Sequence, residues 1–90
     1  MGEDLDKLQQ EIFDIAVKAE PTILIALRGH ADGLCMTVRV NRGNQQMEQT
    51  GMWAWRDLAS WRSQSGEAAA RTLAYEANRM AKRMRIYEAT

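Results

Sequence analysis

The apolar positions change period along this chain, and the changes divide it into elements. From Asp4 to Ala19, Leu5, Leu8, Ile12, Ile15 and Ala19 recur at spacings of three and four, with Phe13, Ala16 and Val17 widening the stripe. That rhythm predicts an amphipathic helix over 4–19. Acids crowd its first turn and Lys18 lies in its last, which suits the helix dipole. Pro21 ends it, because proline lacks the N–H that would continue the ladder and drives Glu20 out of helical geometry.

The period then drops to two. Ile23, Ile25 and Leu27 point one way and Leu24 and Ala26 the other. Across Arg28-Gly29-His30-Ala31-Asp32-Gly33, a second run sets Leu34, Met36, Val38 and Val40 against Cys35, Thr37, Arg39 and Asn41. Strict alternation, β-branched side chains and the Asp32-Gly33 pair predict a hairpin. Arg42-Gly43-Asn44 is the next turn, and residues 45–52 predict a third antiparallel strand, polar on both sides and therefore at an edge. Gly51 in that strand reads as a bulge marker. The tryptophan-rich WAWRDLASWR (53–62) predicts a short helix starting near Ala54 or Trp55. A long helix follows from about Gly66 to Tyr87, capped by Ser65 with Glu67 in its first turn, along a seam of Ala70, Leu73, Ala77, Met80, Met84 and Tyr87. The expected fold is α+β: a three-stranded antiparallel meander with two long helices on one face, in the order α-β-β-β-(short α)-α. Residues 1–90 form a single domain in this reading.

Ninety residues bury roughly 60–65% of the surface their unfolded chain exposes, which makes an adequate core. No apolar run approaches the ~20 residues of a membrane span, and the polar start MGEDLDKLQQ lacks the layout of a signal peptide. One cysteine excludes an internal disulfide and a cysteine-based zinc site, and the expected location is cytoplasmic. The formal charge is zero but unevenly spread. Residues 1–24 carry six acids and two lysines, a net of −4, while residues 61–90 carry six bases and three acids, a net of +3. Such a split marks either two surfaces with different partners or two end helices that attract each other across the core.

The residue types for catalysis are present, but their pattern is not. His30 stands alone in the hairpin turn and reads as a solvated loop residue, and Cys35 has no second base to activate it. Glu11 and Asp14 face no matching acidic cluster. Gly29 to Gly33 lacks a phosphate-cradling signature. No catalytic residue, metal ligand or cofactor is assigned, and the chain is read as a non-enzyme.

The outward side of the long helix is the more informative surface. With Leu73 at zero and about 100° per residue, the seam covers roughly −40° to +60°. Arg71, Lys82 and Arg85 fall near 120–180°, and Arg79 and Arg83 near 240–280°. Tyr75 and Ile86 lie between them, near 200–220°, and apolar groups flanked by bases on an outward side can mark an interface. A solvated face carrying two incidental apolar residues reads the pattern equally well. Arg71, Tyr75, Arg79, Lys82, Arg83 and Ile86 are the candidate contact residues. The partner is another protein, including one inside a nucleoprotein complex, or a second copy of the chain, with no membrane involved. At least two of Trp53, Trp55 and Trp61 read as plugs for one end of the core, and one of them, Trp53 or Trp61, is expected to be partly exposed.

The order helix, three antiparallel strands, helix, with Gly29-His30-Ala31 in the first hairpin loop, resembles the double-stranded-RNA-binding domain. The likeness is of element order and matches no specific motif; nucleic-acid binding is the alternative function, read from the bases of the long helix aided by Arg28, Arg39 and Arg42 if they share a face. The family's lysine-rich helix start is Ser65-Gly66-Glu67-Ala68-Ala69-Ala70-Arg71 here, with one base and one acid, and residues 53–62 are an insertion relative to it. Net neutrality opposes a phosphate-binding role, since such affinity comes largely from counterion release. In size and in lack of chemistry the chain is also similar to the small inhibitors phages make against host machinery, anti-CRISPR proteins among them, although no residue carries that likeness.

Overall fold

A computed structural model describes the backbone of residues 2–42, 44–64 and 68–89 and the side chains of 5–41, 44–60 and 68–84. The elements are α1 (Gly2–Ala19), β1 (Ile23–Gly29), β2 (Gly33–Arg42), β3 (Gln45–Ala54), α2 (Trp55–Gln64) and α3 (Ala68–Ala89). The strands form one antiparallel sheet in the order β1-β2-β3, so β2 is central and the outer two are edges. This is the α+β meander that the pattern predicts, with α1 and α3 packed together over one face. The expected Ser65 cap and Glu67 lie outside the described residues.

The turn from α1 into β1 follows from Pro21. Glu20 still donates its N–H to the Ala16 carbonyl at 3.0 Å, and the Ile23 N–H reaches back to the Glu20 carbonyl at 3.1 Å. At the first hairpin, the His30 N–H donates to the Gly33 carbonyl at 2.8 Å, leaving only Ala31 and Asp32 at the tip. The expected six-residue turn is thus shorter, and Arg28 and Gly29 belong to β1. Gly33 has a steric role: a Cβ there would collide with the backbone carbonyl oxygen of Trp53 on the paired strand.

Register decides which side chains enter the core. The inner rows across the sheet are Ile23–Val40–Met47, Ile25–Val38–Gln49, Leu27–Met36–Gly51 and Gly29–Leu34–Trp53. On β2, Leu34, Met36, Val38 and Val40 are at most 1% exposed. Burying each of these side chains is worth about 1.5–3 kcal/mol. The β2–β3 register runs from Gly33↔Ala54 to Arg42↔Gln45 without a slip, so Gly51 marks no bulge. It makes room instead for the Trp53 ring, whose Cη2 lies 2.6 Å from where a Gly51 Cβ would stand. The strand continues through Trp53 and Ala54, two residues beyond the expected end.

The buried side of α1 is rotated from its expected seam. Leu8, Ile12 and Ala16 are buried, with Leu5, Phe13 and Val17 packed at their margin, while Ile15 is 37% exposed and Ala19 is exposed. The rotation has a cause. The helix covers the β1 edge as well as α3, and the Gln9 Oε1 accepts the Leu27 N–H at 2.9 Å. The seam of α3 holds as predicted at Ala70, Leu73, Ala77, Met80 and Met84 and is widened by Ala69, Ala74 and Ala81. The side chain of Tyr87 lies outside those described.

Candidate docking surfaces

Two surfaces of different chemistry face outward on opposite sides of the molecule. The first is the side of α3 turned away from the sheet. Arg71, Tyr75, Arg79 and Arg83 follow one another every fourth residue, which stacks them on one ridge, and Lys82 lies beside it. All five are exposed, and Tyr75 is 64% exposed. The Arg79 guanidinium carbon lies 5.9 Å from the centre of the Tyr75 ring, and its Nη1 is 3.3 Å from Oε1 of Glu76. Arg79 is thereby held over the ring from two directions, although an exposed pair of this kind contributes less than about 1 kcal/mol to folding. The structure brings Arg71, Tyr75, Arg79, Lys82 and Arg83 together. The side chain of Ile86, the sixth candidate, lies outside those described.

The second surface is the uncovered face of the sheet. Its rows are Leu24–Arg39–Glu48, Ala26–Thr37–Thr50 and Arg28–Cys35–Met52. Arg39 Nη2 lies 3.3 Å from Glu48 Oε1, and the Thr37 and Thr50 hydroxyls are 3.1 Å apart. Apolar Leu24 and Met52 are 48% and 59% exposed. Sequence reasoning did not assemble this surface. The signal was available in the outward parity of Leu24 and Ala26, but it needed the register of both hairpins before the residues could be joined into rows. Arg28 and Arg39 do share this face, and it is the face opposite α3. The side chain of Arg42 lies outside those described.

A hollow of about 350 Å³ on this face is lined by residues that include Arg28, His30, Cys35 and Thr50. His30 and Cys35 therefore border one depression. No acid is among its lining residues, and the nearby hollow of about 280 Å³ that includes Glu48 also includes Arg39, its ion-pair partner. Among the described residues, no group of three or more His, Cys, Asp or Glu is placed to hold a metal ion. Glu11 and Asp14 line a separate shallow hollow of about 260 Å³ with Ile15 and Ala70, between α1 and α3.

Of the two tryptophans whose side chains are described, Trp55 and not Trp53 is the more exposed. Trp53 is half-buried against the core, and Trp55 is 38% exposed. Its position is set by a backbone acceptor: the Trp55 Nε1–H donates to the His30 carbonyl at 2.6 Å while the ring lies against Gly29. An indole that clasps the hairpin tip must sit at the rim of the molecule, which explains why the first residue of α2 is exposed while Leu58 is buried. The Trp61 side chain lies outside those described.

Among the described residues no helix is long and apolar enough to cross a membrane. Comparison with known proteins returned no match to a family model, to a curated protein or to a solved structure.

Proposed function

We propose that this protein is a non-enzymatic, cytoplasmic protein-binding module, an inhibitor or adaptor, that docks an acidic partner surface through the outward side of α3. One observation supports the reading: Tyr75, 64% exposed, stands in a ridge with three arginines, with Lys82 beside it, and one of those arginines lies over its ring. Tyrosine and arginine, with tryptophan, are the side chains most enriched among those that dominate binding energy, since each offers a large contact area and a polar group. The surrounding bases suit a partner patch rich in Asp and Glu and would speed encounter with it.

Nucleic-acid binding is weaker as a reading because the bases are split. Arg28 and Arg39 lie on the sheet face away from α3, so they cannot join the α3 bases along one phosphate path.

Capture from cells of the native host, followed by identification of the bound material, tests the proposal. The expected result is a protein whose binding weakens by about 30-fold in a Tyr75→Ala, Arg79→Ala double variant and is unchanged in Leu24→Ala. A partner held equally well by the double variant would remove α3 as the contact. Captured nucleic acid, released steeply as salt rises, would replace the proposal with the alternative.

A further inference from the structure

The two edges of the sheet are treated differently. The β1 edge is covered: α1 packs along it, and Gln9 occupies the Leu27 N–H. The β3 edge has no such cover among the described residues. It is ten residues long, lacks proline and lysine, has no bulge, and carries a single charge, Glu48, which is held by Arg39. Natural sheets usually blunt long edges with those devices, because a free row of N–H and C=O groups invites another strand. We infer that β3 pairs antiparallel with β3 of a second copy, about a two-fold axis at Gln49, to make one continuous six-stranded sheet.

The side chains select the second copy as the occupant and Gln49 as the centre. Pairing a strand with itself in this register sets residues of like parity opposite each other, so the inner face meets the inner face and the two helical layers stay on the same side. Glu48 then faces Thr50 of the copy, and no like charges are opposed. Met47 faces Gly51 of the copy, the position over which the copy's Trp53 ring is folded. Each Met47 thioether therefore meets an indole, and symmetry makes the contact twice. Met47 and Trp53 are only partly buried in the single chain, packed at the margin of its core, and the copy completes their cover. On the outer face, exposed Met52 comes opposite Gln46. At the axis, Gln49 faces itself. Its side chain is half-buried on the inner parity of the strand, opposite Val38.

This interface is independent of the α3 ridge, and its test keeps the two apart. Light scattering should give twice the 10.2 kDa chain mass at about 100 μM protein. Gln49→Lys, which opposes two ammonium groups across the axis, should weaken the dimer about tenfold or more, while Tyr75→Ala leaves it intact. In a Cys35→Ser background, Gln49→Cys should oxidise to a covalent dimer, because side chains facing each other across such a pair stand within disulfide reach. This last variant adds no bulk or charge and decides the matter if the lysine variant does not fold. A monomeric wild-type chain at that concentration would overturn the proposal. So would a dimer lost in Tyr75→Ala and kept in Gln49→Lys, or a dimer in which Gln49→Cys does not cross-link.

Discussion

The two faces of β2 carry residues from one strand and one backbone conformation, yet they meet different fates. Leu34, Met36, Val38 and Val40 are closed over by helices, whereas Cys35, Thr37 and Arg39 look out from an uncovered sheet. The difference lies in the neighbours, since the helices deliver their apolar seams to one side only. Stability is therefore concentrated on the inner parity, and the outer parity is open to change.

That contrast can be tested by substitution, followed by denaturant unfolding at a single protein concentration. Leu34→Ala should show the largest effect, a loss of about 3–4 kcal/mol, because a fully buried side chain leaves a cavity that the packed helices cannot close. Gly33→Ala should lose about 2 kcal/mol although it adds only a methyl group, since the obstacle is a main-chain carbonyl that cannot step aside. Gln9→Ala moves the comparison to the β1 edge. It should lose about 1 kcal/mol and speed exchange of the Leu27 amide, read by hydrogen exchange, because that N–H loses its acceptor. Arg39→Ala, on the outer parity, should change stability by less than about 1 kcal/mol, the range for an exposed ion pair. An outer-face loss as large as that of Leu34→Ala would mean that something covers the sheet in solution.

Much of the architecture was legible before the structure. Period fixes element type wherever one side is buried and the other is not, which is why β2 and the α3 seam were read residue by residue. The errors occur where two elements compete for one side chain. Ile15 and Ala19 fit the three-and-four rhythm of α1, yet they fall at its rim because the helix also turns toward the β1 edge. Gly51 looked like a break in the ladder, whereas its missing side chain makes room for Trp53 two residues on. Trp55 looked like core by its type, and a hydrogen bond to a carbonyl twenty-five residues earlier in the chain holds it at the rim. Of the candidate site, the α3 ridge could be found from angles around one helix. The outer sheet face could not, because its members come from three strands and meet only once both registers are known.

The alanines of α3 carry one more consequence. Five of them, at 69, 70, 74, 77 and 81, are buried, so much of the gap between this helix and its neighbours is a single methyl deep. A layer that thin tolerates almost no enlargement: a leucine at any of the five would wedge the helix away from its seat. The ridge bearing Tyr75 is thus mounted on a backing that cannot drift, and an altered affinity after mutating the outer side would report on recognition itself, not on a displaced helix.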